Sequence, residues 1–145
     1  MHTRPDCYYR QSAAIPYRWG PSGLQVLLIM SRRRRRWVVP KGIVEPDLSP
    51  SDSAAKEALE EAGVLGRVRP GPLGSYEYEK WGGLCRVEVY AMEVEQELAA
   101  WPEQFRSREW LTPAQAVARV REPALRELIA GLAAALETAP ALPAL

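Results

Sequence analysis

The chain has 145 residues, 47% hydrophobic and 26% charged, and 19 basic against 18 acidic residues give a formal net charge of +1. This length predicts one domain, and the composition excludes a wholly disordered chain and a wholesale polycation or polyanion. The longest apolar run, residues 24–30, is too short for a membrane span, and no apolar signal segment begins the chain. Because only Cys7 and Cys85 are present, a disulfide framework and a four-ligand zinc site are excluded, and we expect a soluble cytoplasmic protein.

The predicted elements run from strands into a helix, then into further strands and helices. Residues 1–8 and 138–145 are expected to be loose ends, because they lack useful periodicity, which leaves a single domain over 9–137. Apolar runs predict strands at 11–17, 24–31, 37–40, 64–69, 73–80, 85–94 and 108–111. A loop is expected at 41–48, and helices are expected at 50–62, 113–120 and 124–137. This order is typical of the α+β class, with a mixed sheet sandwiched between helices in α/β/α layers.

The first predicted helix has an acidic face and an apolar face. On a helical wheel of about 100° per residue, Glu57, Glu60 and Glu61 fall side by side. The opposite face, which is expected to pack on the sheet, consists of Ala55, Leu59 and Ala62. Like charges at this spacing repel one another, and a divalent cation with oxygen ligands would offset that repulsion. A solvated acidic face is the alternative interpretation.

Residues 42–64 read GIVEPDLSPSDSAAKEALEEAGV. They resemble the Nudix box, G-x5-E-x7-R-E-U-x-E-E-x-G-U, in which U is a bulky aliphatic residue. The positions in register are Gly42, Glu57, Glu60, Glu61, Gly63 and Val64, with Ala58 at the first U. Leu48 stands where the loop glutamate is expected, and Lys56 replaces the arginine. The resemblance covers roughly residues 9–118 and is nearest to the diphosphoinositol polyphosphate and dinucleoside polyphosphate hydrolases.

The resemblance implies the Nudix fold and the hydrolysis of a phosphoanhydride bond with Mg²⁺ or Mn²⁺. It implies that Glu57, Glu60 and Glu61 are the catalytic carboxylates, with Glu57 and Glu61 as direct metal ligands. Glu60 is expected to bind the metal directly or through water, and the carbonyl of Gly42 adds another oxygen ligand. The general base stays open between Glu57 and a neighbouring group.

The two departures from the box leave a question about the loop before the helix. Glu45 and Asp47 lie in the same loop as Leu48, and either could replace the missing carboxylate. Lys56 keeps the positive charge of the arginine but loses its bidentate geometry.

Basic side chains are the candidate phosphate ligands, because guanidinium groups match phosphate oxygens bidentately. The resemblance implies these substrate-binding residues: Arg10, Arg18, Arg32, Arg36, Lys41, Arg106 and Arg108. A solvated loop is the alternative for part of the arginine run at 32–36. The expected substrate is a highly anionic small molecule, such as a dinucleoside polyphosphate or an inositol pyrophosphate.

Two other functions remain as hypotheses. The departures at Leu48 and Lys56 favour a weakened Nudix module that binds or regulates without turnover. The run of five arginines at 32–36 favours an arginine-rich RNA-binding protein, although the near-neutral net charge makes nucleic acid the less favoured partner. We expect no membrane partner, and the oligomeric state stays open between a monomer and a homodimer.

Overall fold

The computed structural model describes residues 7–33 and 35–138, without the side chains of Cys7 and Tyr8. The loose ends predicted at 1–8 and 138–145 therefore lie almost entirely outside the described residues, as does Arg34 in the middle of the arginine run. None of the helices in the described ranges is long and apolar enough to span a membrane.

Strands and helices alternate in the described residues as an α+β arrangement. The strands are β1 (Cys7–Gly20), β2 (Gly23–Met30), β3 (Trp37–Val38), β4 (Lys41–Ile43), β5 (Val64–Val68), β6 (Gly74–Lys80), β7 (Gly83–Glu97) and β8 (Arg108–Leu111). The helices are α1 (Pro50–Glu57), α2 (Pro113–Arg119), α3 (Pro123–Ala130) and α4 (Leu132–Thr138). A π-helical turn, Ala58–Ala62, extends α1.

The strands form one mixed sheet whose central path is β3-β2-β1-β7-β5. β1 and β7 pair in parallel along most of their length, and the other pairs are antiparallel. β1 pairs with β4 in its first half, over Gln11–Ala13, and with β2 in its second half, over Tyr17–Gly20. This change of partner places the short strand β4 beside α1.

Helices cover both faces of the sheet, which confirms the predicted α/β/α sandwich. On one face, α1 and the π-helical turn bury Ala54, Ala58 and Ala62 against Ala14 and Ile29 of the sheet. On the other face, α2, α3 and α4 pack on a larger core, whose sheet residues include Ala13, Ile15, Tyr17, Val87 and Val89. The alternation of β1 between the two cores follows from the period of two in a strand.

The helix boundaries agree with the capping signals. The hydroxyl of Ser49 accepts a hydrogen bond from the Asp52 amide at 3.1 Å, so Ser49 caps α1 as predicted. The π-helical turn ends at Gly63, which adopts a left-handed φ of 67°. Thr112 and Gln115 form a reciprocal capping box at the start of α2.

Three predictions of local structure are wrong. Residues 41–43, predicted as loop, form β4, because pairing with β1 stabilises three residues that have no alternation of their own. The helix predicted over 124–137 is interrupted at Gly131, where glycine favours a break. The packing face of the first helix is Ala54, Ala58 and Ala62, at a spacing of four residues, rather than Ala55 and Leu59, which are half-buried, because the helix turns Ala54 rather than Ala55 onto the sheet.

Candidate active site

Gly42 lets the backbone of β4 lie directly against the carboxylate of Glu57. A Cβ atom at position 42 would lie 2.4 Å from Cδ of Glu57 and 2.5 and 2.6 Å from its two carboxylate oxygens. Any side chain there would therefore displace Glu57. Gly42 is fixed in place by its pairing with Ser12 in β1. The loop glycine of the sequence motif is thus a strand residue that makes room for the Glu57 carboxylate.

Glu57 and Glu61 form a carboxylate pair one turn apart. Their side chains lie within hydrogen-bonding reach of each other. The Glu61 side chain is 12% exposed, and its Oε1 accepts a hydrogen bond from the Lys41 amide at 3.3 Å. Burial raises the pKa of Glu61 to about 8, against the lowering effect of the Arg106 guanidinium, and burial also raises the pKa of Glu57. Such a pair holds a shared proton or takes up a cation.

The donor set fits a hard divalent cation. Two adjacent carboxylates beside the backbone at Gly42 offer the oxygen ligands that Mg²⁺ and Mn²⁺ prefer. Glu60 points differently, since its carboxylate lies 3.5 Å from the Lys56 ammonium. Within residues 7–33 and 35–138, no three Asp, Glu, His or Cys side chains converge on one point. The structure therefore brings two of the three predicted carboxylates together and sets the third beside them.

Lys56 joins the loop to the helix through Glu45. Its ammonium lies 2.5 Å from Oε1 of Glu45, in addition to its contact with Glu60. Of the two loop carboxylates that could replace the one missing at Leu48, Glu45 makes this contact. The ion pair raises the pKa of Lys56 and keeps the cation beside the acidic face. Lys56 and Glu45 thus form a charged link between the helix and the loop, next to the two positions that depart from the motif.

The segment at 98–108 satisfies the last carbonyl groups of the π-helical turn. The indole Nε1 of Trp101 donates to the carbonyl of Glu61 at 3.1 Å, and the Glu103 amide donates to the carbonyl of Glu60 at 2.9 Å. These donors fix the backbone at Glu60 and Glu61. Sequence reasoning missed Trp101 and Glu103, because a tryptophan in a loop gives no signal of the carbonyl it will reach.

Arg108 belongs to the same brace. Its guanidinium donates to the carbonyls of Ala62 at 2.9 Å, Gly63 at 3.3 Å and Leu98 at 2.5 Å. It also lies 3.9 Å from the centroid of the Trp101 ring. Arg108, which the sequence predicted to bind substrate, thus caps the end of the π-helical turn. It is not among the substrate-binding residues that we propose.

A cleft of about 240 Å³ has Arg106 in its lining. The other lining residues are Met30, Ser31, Arg32, Arg35, Phe105 and Ser107. The Arg106 side chain is 9% exposed and is anchored by Glu103 and by the Met30 carbonyl, each at 3.0 Å. It also reaches within 4.0 Å of Glu61. Two of the predicted arginines, Arg32 and Arg106, thus line one cleft, and Arg106 alone also contacts the carboxylate pair.

Lys41 lies behind the carboxylate pair, on the opposite face of β4 from Gly42. Its ammonium donates to the Tyr78 hydroxyl at 2.7 Å, and that hydroxyl donates to Gln11 at 2.7 Å. The ammonium also lies 4.3 Å from the centroid of the Tyr78 ring. Lys41 is thus adjacent to Glu61 through its backbone while its side chain is tied to β6.

The other predicted phosphate ligands have other contacts. Arg10 forms an exposed ion pair with Glu88 at 3.0 Å. Arg18 stacks over Trp110 at 4.1 Å. It lies six residues along β1 from the partner of Gly42, or about 20 Å. Arg36 donates its backbone amide to the Ser31 hydroxyl at 2.9 Å.

Comparison with known proteins agrees with this geometry. Residues 9–132 match the NUDIX domain family. The chain belongs to the Nudix family. This confirms the resemblance drawn from residues 42–64, and Nudix hydrolases generally use divalent metal ions.

Curated Nudix relatives are similar over most of the chain. Nudix hydrolase 13, mitochondrial, from Arabidopsis thaliana is 39% identical over 140 residues, covering 80% of this chain and 69% of the relative. Nudix hydrolase 16, mitochondrial, from the same plant is 39% identical over 115 residues, covering 73% and 63%. Diphosphoinositol polyphosphate phosphohydrolase 3-beta from Bos taurus is 31% identical over 116 residues, covering 78% and 70%. The chain thus spans about two thirds of the length of these proteins. The two plant relatives are named as mitochondrial, so the cytoplasmic location of this chain stays a prediction.

Solved Nudix structures share the fold. The C. elegans Ap4A hydrolase binary complex has a TM-score of 0.78 at 19% identity, covering 89% of this chain and 98% of that one. The NUDIX domain of Shewanella oneidensis NrtR, complexed with ADP ribose, has a TM-score of 0.71 at 15% identity and covers 90% of each chain. These likenesses confirm the predicted Nudix fold.

Proposed function

We propose that the chain is a phosphoanhydride hydrolase that uses Mg²⁺ or Mn²⁺. The observation that carries this proposal is the buried Glu57–Glu61 pair lying against Gly42. Glu57, Glu61 and the Gly42 carbonyl would hold the divalent cation, which would supply charge neutralisation to the diphosphate oxygens. Glu60, beside Lys56, serves as an outer carboxylate of the site.

The carboxylate pair would also manage the proton of the attacking water. Water adds to phosphorus, the bridging P–O bond breaks, and the leaving phosphate departs with the electron pair of that bond. Glu57 or a neighbouring group would accept the water's proton. The Lys41 amide and Arg106 hold Glu61 in place during this step.

The cleft supports a highly anionic substrate. Arg32, Arg35 and Arg106 line it, Arg106 also reaches Glu61, and Lys41 adjoins Glu61 through its backbone amide. Guanidinium groups bind phosphate oxygens through paired hydrogen bonds. We therefore propose a dinucleoside polyphosphate or an inositol pyrophosphate as substrate. The names of the nematode Ap4A hydrolase and of the bovine diphosphoinositol polyphosphate phosphohydrolase support these two classes.

The anionic substrate is tested by Arg32→Gln, with Arg33→Gln as the matched control. Arg33 is an exposed neighbour that does not line the cleft. We expect Arg32→Gln to raise KM for a dinucleoside tetraphosphate by about tenfold, because one charge-assisted contact is lost. KM for ADP-ribose, with its shorter phosphate chain, should change much less, and Arg33→Gln should change neither. Steady-state kinetics with Mg²⁺ measure both values. Equal increases for both substrates would contradict a polyphosphate cleft.

A binding module without turnover is the second candidate. Leu48 favours it, because one carboxylate of the family motif is absent. The Lys56–Glu45 ion pair argues for retained activity, since it restores a charged link between loop and helix. Ligand binding without product at saturating Mg²⁺ would establish the second candidate.

A further inference from the structure

Two serine hydroxyls are buried on the side of the sheet that α1 covers. Ser12 of β1 is 0% exposed and Ser53 of α1 is 1% exposed. Within residues 7–33 and 35–138, neither hydroxyl has a hydrogen-bond partner. Buried polar groups in native proteins are nearly always paired, either with another protein group or with an ordered water. These two hydroxyls therefore need a partner that the described residues do not supply.

Ser12 lies next to the Glu57 carboxylate. It shares the parity of Ala14 in β1, which belongs to the core under α1. Ser12 is directly opposite Gly42 in β4, and opposed residues of a strand pair project to the same face with Cβ positions about 5 Å apart. The Glu57 carboxylate occupies the place that a Cβ atom of Gly42 would take, with its atoms 2.4 to 2.6 Å from that position. The Ser12 side chain thus lies about 5 Å from this carboxylate.

Ser53 approaches the same carboxylate from the helix. It precedes Glu57 by one turn, so the two side chains lie on one face of α1 with Cβ atoms about 5–6 Å apart. Helical side chains lean toward the N-terminus of their helix, which tilts Glu57 toward the turn that carries Ser53. The two unpaired hydroxyls thus flank one carboxylate, Ser12 from the strand and Ser53 from the helix.

The spacing of these three groups suits one water molecule. A direct hydrogen bond between oxygens spans about 2.5–3.0 Å, and a bridging water spans roughly twice that distance. A buried water typically makes about three hydrogen bonds, and two hydroxyls with one carboxylate supply that number. The water can donate to the Glu57 carboxylate and to one hydroxyl while it accepts from the other hydroxyl. Every donor then meets an acceptor.

We propose that Ser12 and Ser53 hold a buried water molecule that donates to the Glu57 carboxylate, and that both serines are positioning residues for Glu57. The water restricts the rotation of a carboxylate that is otherwise half-buried. The effect of this water on cation binding rests on the proposed function, whereas the water site itself does not.

The first test is a crystal structure of the full chain at a resolution that shows ordered water. Wild type is compared with the double variant that combines Ser12→Ala and Ser53→Ala. We expect a water within about 3.2 Å of both hydroxyls and of the Glu57 carboxylate in wild type, and none there in the double variant. Wild-type density without this water would overturn the proposal, as would a direct hydrogen bond from either hydroxyl to another protein group.

The second test is isothermal titration of each variant with Mn²⁺ in the absence of substrate. Ser12→Ala and Ser53→Ala should each weaken Mn²⁺ binding by about tenfold, because groups that orient a metal ligand commonly have effects of this size. Because both serines hold the same water, the double variant should lose little more than either single variant. Unchanged affinity in either single variant would overturn the positioning role, as would losses that multiply in the double variant.

Ser75→Ala is the matched control for both single variants. Ser75 of β6 is opposite Glu88 of β7, which is in turn opposite Ser12, so it lies in the same row across the sheet, but it is exposed. It should leave Mn²⁺ affinity unchanged, and a loss equal to that of Ser12→Ala would overturn the proposal. Melting temperatures of all variants show that each keeps its fold.

Steady-state kinetics distinguish positioning from substrate contact. Both single variants should lower kcat at unchanged KM, because neither serine touches the substrate. A raised KM at unchanged kcat would overturn the positioning role.

These tests separate the inference from the proposed function. The water, found with its three partners in a chain that neither binds Mn²⁺ nor hydrolyses a phosphoanhydride, would support the water site and contradict the proposed function. Hydrolysis that depends on Glu57, in a chain whose wild-type structure lacks this water, would do the reverse.

Discussion

At the scale of single residues, the burial of Glu61 beside Glu57 has the largest chemical consequence. Two adjacent carboxylates cannot both ionise at low cost, and burial removes the water that would screen them. The Lys41 amide and the Arg106 guanidinium, 4.0 Å away, offset only part of this cost. A cation bound at the proposed site would release the shared proton.

The pair predicts how the stability of the metal-free chain depends on pH. The pKa of Glu61 rises from its ordinary value of 4.5 to about 8 on folding, so the folded chain binds this proton more tightly than the unfolded chain. The resulting stability is complete below about pH 4.5 and is lost as the pH rises through about 8. Melting temperatures in EDTA should fall over this window, and Glu61→Gln should show a smaller fall. A wild-type profile that parallels that of Glu61→Gln would contradict the raised pKa.

The motif predicted that Gly42, Glu57 and Glu61 lie together, because its spacing determines which turn of the helix meets the strand. The sequence could not predict the contacts of every basic residue. Arg108 shows the limit. A guanidinium binds phosphate oxygens and backbone carbonyls with the same geometry, so only the fold decides which one it meets. The choice of Glu45 over Asp47 as the partner of Lys56 likewise depends on the path of the loop.

At the scale of secondary structure, the π-helical turn and its brace position the carboxylates. The wider turn, Ala58–Ala62, places Ala58 and Ala62 on the sheet and keeps Glu61 next to Glu57. Its terminal carbonyls would lack partners without the side chains of Trp101 and Arg108. The position of Glu61 thus depends on the 98–108 segment, which carries these donors.

The brace predicts a specific effect of Arg108→Lys. Lysine lacks the planar fork that reaches the carbonyls of Ala62, Gly63 and Leu98 together, and it cannot stack as a planar group on Trp101. We therefore expect a loss of about 1–3 kcal/mol in unfolding free energy. The Mg²⁺ concentration needed for half-maximal activity should rise several-fold, while KM for substrate changes little. Urea unfolding and Mg²⁺ titration of the activity measure these effects.

Arg119→Lys is the matched control, because Arg119 pairs with Glu109 and lies 5.3 Å from the Trp37 ring on an exposed surface. It should alter neither stability nor the Mg²⁺ requirement appreciably. A raised KM for substrate at an unchanged Mg²⁺ requirement in Arg108→Lys would instead support the substrate-binding role predicted from sequence.

Local sequence patterns located most elements, because capping residues and apolar alternation are encoded locally. The exceptions depend on tertiary contacts. β4 has three residues and exists because β1 pairs with it, and the break at Gly131 separates two short helices that pack on the same core. The π-helical turn has no sequence signature in a segment that reads as a regular amphipathic helix.

At the scale of the whole molecule, the mixed sheet separates two tasks. The face covered by α1 holds the carboxylates, and the face covered by α2, α3 and α4 holds the larger core. Arg106 joins the arginine cleft to the carboxylate face through its contact with Glu61.

The most direct test of this account is the rate of phosphate or nucleotide release with Mg²⁺ across a panel of diphosphates. Wild type is compared with Glu57→Gln and Glu61→Gln, and Glu79→Gln is the control, because it makes the same change of charge on the exposed surface of β6. We expect turnover of a polyphosphate substrate that falls by at least about a hundredfold in both site variants and is unchanged in the control. Turnover that survives in Glu57→Gln and Glu61→Gln would contradict the central role of the carboxylate pair.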